Sequence, residues 1–141
     1  MKNKLTPEHF TLMEYMILQK SWWDTVDGLA GWLVGAIMKN HPSSIRPKTS
    51  EWMSSGNIWL QRTCLIFQLG YKKDTDTELL FGFIEQLADH KTFWIRTAIG
   101  WALREYSKTN PLAVQDFVNT HQLSPLSKRE ALKVIERDKL R

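Results

Sequence analysis

The sequence has a single cysteine, Cys64, and this scarcity excludes an internal disulfide as well as a zinc site built from cysteine ligands. Cys64 stands in an apolar run, which predicts a buried, inert thiol. Long hydrophobic runs are also lacking: the longest, residues 29–38, is far too short to cross a bilayer. The first residues are polar, which is not typical of a signal peptide. We therefore expect a cytoplasmic protein with no membrane partner.

Several motifs that mark common enzyme classes are missing from the sequence. It contains no glycine-rich phosphate loop and no G-x-S-x-G nucleophile motif. The four histidines fall in or beside predicted helix ends and turns, without the spacing of metal ligands. The sequence therefore predicts no metal site and no cofactor.

Strand-like alternation is scarce as well, and apolar residues recur at helical spacing, which predicts an all-α fold. Proline falls at expected helix starts and in the turn-rich residues 41–47, and three glycines lie within the expected helix over residues 22–40. Asn57 and Asn110 are placed to cap helices, and Ser127 stands in capping-box register with Glu130 at the start of the last one. The other expected helices cover residues 7–19, 22–40, 51–55, 58–71, 77–90, 92–107 and 111–121.

Two of these helices resemble each other at an offset of 34 residues. Residues 59–65 can be laid over residues 93–99, matching aromatic, apolar, Arg-Thr, small and apolar positions in turn. A period in the thirties built from helices is typical of an α-solenoid. We expect residues 1–141 to form one domain of this kind; an ordinary helical bundle is the alternative.

The charge of the chain is uneven. Residues 91–141 contain ten Lys or Arg and five Asp or Glu, whereas residues 1–90 contain nine and ten, so the last third holds the whole positive excess. Such asymmetry favours an anionic partner, with nucleic acid as the leading candidate. A solvated basic face without a partner is equally compatible with charge alone.

Three groups of residues are suited to chemistry on such a partner. Trp23 and Asp27 are four residues apart and Trp101 and Arg104 three apart, so each pair shares a helix face. Arg62 lies on another predicted helix. Arginine binds phosphate oxygens, an indole face attracts positive charge, and a carboxylate is ionised at neutral pH. Together they fit a cationic transition state on a phosphate-bearing substrate, such as N-glycosidic bond cleavage.

Structural roles for the same residues are the alternatives. Asp27 would then form an ion pair with Arg62 or Arg104, and Trp101 would be a core residue. The arginines would be solvated or paired with Glu105.

The same residues carry a resemblance to a known family. Four segments, residues 21–27, 57–63, 98–108 and 123–133, resemble the AlkD-type bacterial DNA alkylation repair glycosylases, in the same order and over nearly the whole chain. The resemblance implies an α-solenoid, or superhelix, of HEAT-like repeats. It also implies excision of cationic alkylpurines, 3-methyladenine and 7-methylguanine, from duplex DNA, as a monofunctional glycosylase in base excision repair.

The resemblance assigns a role to each candidate residue. Asp27 would be the catalytic aspartate, which stabilises the oxocarbenium ion and positions water. Trp23 and Trp101 would pack against the deoxyribose of the lesion, and Arg62 and Arg104 would hold DNA phosphates.

The sequence departs from the family pattern in two places. It is shorter at the N-terminus, so the first helical repeats of the family are expected to be missing, and Gln61 stands where a second basic residue is expected beside Arg62. A truncated, weakly active or inactive DNA-binding module is therefore the alternative function, and a scaffold for protein partners a third. A shortened solenoid exposes an apolar end, which suggests self-association through residues 10–18.

Overall fold

The computed structural model describes residues 6–20 and 33–140, and all regular structure in these two ranges is helical. The predicted all-α, helical-repeat fold is confirmed. The chain divides into two compact units, Met1–Gly70 and Tyr71–Arg141. That residues 1–141 form one domain stays a prediction.

The described part of the first unit contains the 3-10 turns Pro7–His9 and Pro42–Ser44 and four α-helices. Helix α4 packs against α1 and α3. The wholly buried indole of Trp52 holds α3 to α1: its Nε1 donates to Glu14 Oε2 at 2.8 Å, and the ring of Phe10 meets it edge-on. These helices are α1 (Phe10–Lys20), α2 (Gly35–Asn40), α3 (Ile45–Ser54) and α4 (Ile58–Ile66).

The second unit begins with the 3-10 turn Lys72–Asp74 and is organised around α6, which, like α8, has 15 residues. Helix α6 packs along α8 and also contacts α7, which contacts α8 in turn. The ring of Phe81 in α5 lies 4.4 Å from that of Phe117 in α7, centroid to centroid. The helices are α5 (Thr77–Leu87), α6 (Phe93–Ser107), α7 (Pro111–Thr120) and α8 (Pro125–Lys139).

The observed helix starts agree with those predicted from the sequence where a side chain caps the first turn. Asn57 Oδ1 accepts from the backbone N–H groups of Trp59 and Leu60, and Asn110 Oδ1 accepts from that of Ala113. Both caps were expected and are confirmed. They satisfy N–H groups that no intrahelical carbonyl can reach, so the sequence alone determines these boundaries.

Two expected helix starts are wrong. Helix α3 begins at Ile45 rather than residue 51, and Pro47 lies in its first turn, where a missing N–H and a fixed φ are tolerated. Helix α8 is capped by Ser124, whose Oγ accepts from the N–H of Ser127. Ser127 is instead buried inside the first turn, so the expected capping box with Glu130 does not form.

Two helix ends come earlier than expected. Helix α4 ends at Ile66 and α5 at Leu87, each followed by turn residues. Phe67 lies in the turn after α4 yet is buried, so the apolar pattern continues past the point where the helix stops. Of the expected helix over residues 22–40, residues 21–32 lie outside the described residues. Across the described ranges, no helix combines the length and the apolar character needed to span a membrane.

Candidate active site

The predicted catalytic pair, Trp23 and Asp27, lies outside the described residues. Their roles therefore stay predictions. The other three candidates are described, Arg62 in the first unit and Trp101 and Arg104 in the second.

Arg62 lies at the centre of α4 and is only 4% exposed. The helix is buried over its whole length from Leu60 to Ile66, because it packs against both α1 and α3. A guanidinium withdrawn this far from water requires compensating interactions within the protein. Its burial therefore distinguishes Arg62 from an arginine that reaches a phosphate at the surface.

Gln61 replaces the second basic residue expected beside Arg62, and it is buried too. Its Nε2 donates to the backbone carbonyl of Met53 at 3.1 Å, in the last turn of α3, where carbonyls lack an intrahelical partner. Its Oε1 is buried and meets no hydrogen-bond partner among the described residues. Gln61 therefore joins α3 to α4 instead of extending a basic surface.

Trp101 and Arg104 lie three residues apart on α6, as the sequence predicts, and both are partly exposed. Helix α6 buries one side against α8 and leaves the other open, unlike α4. The side chain of Arg104 is 31% exposed. Since three residues separate neighbours on one helix face, the indole and the guanidinium are available to the same ligand.

Arg104 is held by a residue that the sequence did not identify. Its Nη1 lies 3.4 Å from Glu130 Oε2, and the other carboxylate oxygen of Glu130 lies 2.9 Å from Lys133 Nζ. Glu105, the partner suggested by the sequence, instead binds Lys108 at 2.9 Å. The contact joins residues 26 positions apart, and no local pattern signals it.

Gly100 makes this contact possible. A Cβ added there would lie 2.6 Å from the Cβ of Glu130 and 3.1 Å from the carbonyl oxygen of Ser127. Close to the same crossing, Ser127 Oγ donates to the carbonyl of Arg96 at 2.8 Å. Helices α6 and α8 therefore approach too closely for a side chain at position 100, and this closeness places Glu130 beside Arg104.

Basic side chains line the exposed side of α8. Five of its fifteen residues are Lys or Arg, and all five are exposed, so the positive excess of the last third is presented to solvent. This placement agrees with the predicted affinity for an anionic partner. The five residues are Lys128, Arg129, Lys133, Arg137 and Lys139.

Within the described ranges, the structure offers little support for a reactive thiol or a metal site. Cys64 is buried, as predicted, and burial raises the pKa of its thiol well above its usual range. No group of three or more His, Cys, Asp or Glu side chains within residues 6–20 and 33–140 is arranged to hold a metal ion.

The exposed side of α1 carries several large apolar residues. Residues at its surface include Leu12, Tyr15, Met16 and Leu18, within the segment for which the sequence predicts self-association. Monomeric proteins expose few contiguous apolar patches, so the exposure is compatible with a partner at this helix. Self-association itself stays a prediction.

Comparisons with known proteins find a matching family and a similar solved structure. A family model of DNA alkylation repair enzymes matches residues 1–135. Among solved structures, the chain is similar to a predicted DNA alkylation repair enzyme from Enterococcus faecalis, with 32% sequence identity and a TM-score of 0.85. The similarity covers 94% of this chain but 62% of that one. A search of curated proteins finds no match.

Proposed function

The chain belongs to the DNA alkylation repair enzyme family, and we propose that it is an AlkD-type glycosylase that removes cationic alkylpurines from duplex DNA. The observation that carries the proposal is the family match over residues 1–135, together with Trp101 and Arg104 on the partly exposed face of α6. The proposed substrates are 3-methyladenine and 7-methylguanine.

The proposed reaction breaks the bond between C1′ of the deoxyribose and the purine nitrogen. The electron pair of that bond moves to the alkylated base, which leaves as a neutral molecule because alkylation had made it cationic. Positive charge develops on the sugar as an oxocarbenium ion, and water adds to C1′ while its proton passes to Asp27 or to solvent. The carboxylate of Asp27 stabilises the charge electrostatically.

The two tryptophans act on the same charge. Trp23 and Trp101 would pack against the deoxyribose, where an indole face attracts a cation by about 0.5–2 kcal/mol. Partial exposure of Trp101 supports this role, since a fully enclosed indole would not reach a sugar. The chemistry needs no amine nucleophile, so the product is an abasic site in an uncut strand.

The two arginines contribute differently under this proposal. Arg104, with a partly exposed guanidinium, can bind a phosphate oxygen directly. Burial of Arg62 favours an indirect contribution, in which a fixed cation raises the positive potential at the DNA-binding surface. The exposed lysines and arginines of α8 would strengthen duplex binding by contacts to the phosphate backbone.

Base release from methylated duplex DNA tests the proposal. We expect the wild type to release 7-methylguanine and Asp27→Asn to release none above background. Asp24→Asn is the matched control, because it removes the same charge from the same segment and is expected to retain activity. Full activity of Asp27→Asn would overturn the proposed mechanism.

A non-catalytic DNA-binding module is the second candidate function. It is favoured by one observation: the chain spans 62% of the length of the similar enzyme structure. This candidate predicts duplex binding that weakens steeply with salt, without base release from any methylated substrate. The non-catalytic module is excluded if the wild type releases base and Asp27→Asn does not.

A further inference from the structure

The carboxylate of Glu130 lies between two cations on different helices. Its Oε2 accepts from Arg104 Nη1 of α6 at 3.4 Å, and its Oε1 binds Lys133 Nζ of α8 at 2.9 Å. Each oxygen therefore has its own partner. The side chain of Arg104 is 31% exposed and that of Lys133 54%, so the pair with Arg104 lies on the more sheltered side of the carboxylate.

The backbone, and not the ion pair, determines where Glu130 stands. Its Cβ lies against Gly100, at a place that a side chain at position 100 would occupy. Within the same turn of α8, Ser127 Oγ is fixed to the carbonyl of Arg96. These two contacts fix the backbone of α8 and the Cβ of Glu130 against α6, and from there the carboxylate reaches Arg104.

The contact leaves most of the Arg104 guanidinium available. Arginine carries five N–H donors in a planar fork, and Glu130 engages Nη1 at a distance that is long for a charged pair. The remaining donors can bind the oxygen atoms of another anion. An arginine fixed in this way loses less side-chain freedom when it binds a phosphate.

We infer that Glu130 is a positioning residue, which orients Arg104 toward the DNA phosphate beside the lesion; the inference rests on the proposed function. A carboxylate near a polyanion also repels it, so Glu130 opposes general duplex binding while it aids the reaction. These two effects have opposite signs. A residue that only maintains the fold would lower both binding and rate when replaced, so the opposite signs distinguish Glu130 from such a residue.

The test compares Glu130→Gln with wild type in duplex binding and in base release at saturating protein. We expect duplex affinity to be unchanged or tighter, because a repulsive charge is lost, and the rate of release to fall about tenfold, because Arg104 is no longer held in place. Glu136→Gln is the matched control. It removes the same charge from an exposed position of the same helix and is expected to leave the rate at saturation unchanged.

Two further measurements examine whether Glu130 acts through Arg104. In an Arg104→Gln background, Glu130→Gln should cause no additional loss of rate. The nitrogen-edited NMR signal of the Arg104 Nε–H group, identified by its loss in Arg104→Gln, should broaden in Glu130→Gln because the guanidinium becomes mobile. This second readout does not depend on activity.

The outcomes separate this inference from the proposed function. A wild type that releases no base overturns the proposed function, whatever Glu130 does. A wild type that releases base while Glu130→Gln keeps its full rate overturns the inference alone. So does an unchanged Arg104 signal, an additive loss in the double variant, or a parallel fall in rate, affinity and thermal stability.

Discussion

Helices α4 and α6 carry the same sequence pattern 34 residues apart, yet their surroundings differ. In this alignment Arg62 corresponds to Arg96. Arg62 is buried, whereas Arg96 is partly exposed and donates its Nε–H to the carbonyl of His90 at 3.1 Å. The candidate Arg104 has no counterpart within α4, because α4 ends at Ile66 and α6 continues to Ser107.

The difference shows that a repeated pattern preserves the core but not the exposed face. Cys64 and Ala98 correspond in the alignment, and so do Leu65 and Ile99; all four are buried. Beyond the repeat, the added length of α6 carries Trp101 and Arg104 onto an open face. Helix α4 is therefore enclosed within its unit, whereas α6 leaves Trp101 and Arg104 partly exposed.

The sharpest test of this difference replaces the buried arginine. We expect Arg62→Met to lower the free energy of unfolding by about 3 kcal/mol, because it removes the interactions of a buried charged group while keeping most of the side-chain volume. Chemical denaturation measures the change. Arg96→Met is the matched control from the corresponding position of α6, and a loss as large as that of Arg62→Met would contradict the comparison.

The second prediction concerns Gly100, which corresponds to Ile66 of α4. Gly100→Ala should destabilise the protein by about 2 kcal/mol, because its Cβ would meet Glu130 and the backbone of Ser127, so that α6 and α8 must separate. Gly82→Ala in α5 is the control. Apart from its neighbours and the backbone of its own helix, no described atom lies within 4 Å of a Cβ there, so alanine should stabilise the helix by about 0.5–1 kcal/mol. Equal effects of both variants on the melting temperature would refute the close crossing.

Cys64 gives a smaller effect. Cys64→Ala should cost about 1 kcal/mol, since it removes one buried sulfur atom at a position where α6 already has an alanine. The native thiol should react with a thiol reagent no faster than the protein unfolds, because burial raises its pKa and excludes the reagent. Rapid labelling under native conditions would show that α4 is less enclosed than its burial indicates.

The smallest effect on stability is expected for Arg104→Met. Its ion pair with Glu130 is partly solvated, so the free energy of unfolding should change by less than about 1 kcal/mol. Duplex binding should weaken. The slope of the logarithm of the binding constant against the logarithm of the salt concentration should fall in magnitude by about one, because one phosphate contact is lost. Lys73→Met, at an exposed lysine of the first turn in the second unit, is the control for charge alone. An unchanged slope would show that Arg104 does not contact a DNA phosphate.

Local signals in the sequence predicted much of this fold. The caps at Asn57 and Asn110 depend on contacts within three residues, so their residue types were sufficient. The start of α3 was not predictable in the same way, because Pro42 and Pro47 are equally typical of a loop and of a helical first turn. The buried Phe67 likewise concealed the end of α4.

The candidate site was only partly predictable, for a different reason. Spacing alone placed Trp101 and Arg104 on one helix face. Burial of Arg62 depends on how α1 and α3 pack around α4, and the pairing of Arg104 with Glu130 depends on the crossing of α6 and α8. Such tertiary contacts leave no trace in a single local pattern, so residue type revealed the arginines but not their environments.

The close crossing of α6 and α8 at Gly100 also constrains how the sequence can evolve. A side chain at position 100 would meet the Cβ of Glu130 and the carbonyl oxygen of Ser127, so it can arise only if α6 and α8 move apart, which would draw Glu130 away from Arg104. Positions 100, 104 and 130 are thus expected to change together or not at all during divergence. A lineage that loses the glycine would have to rebuild the contact to its arginine from another helix.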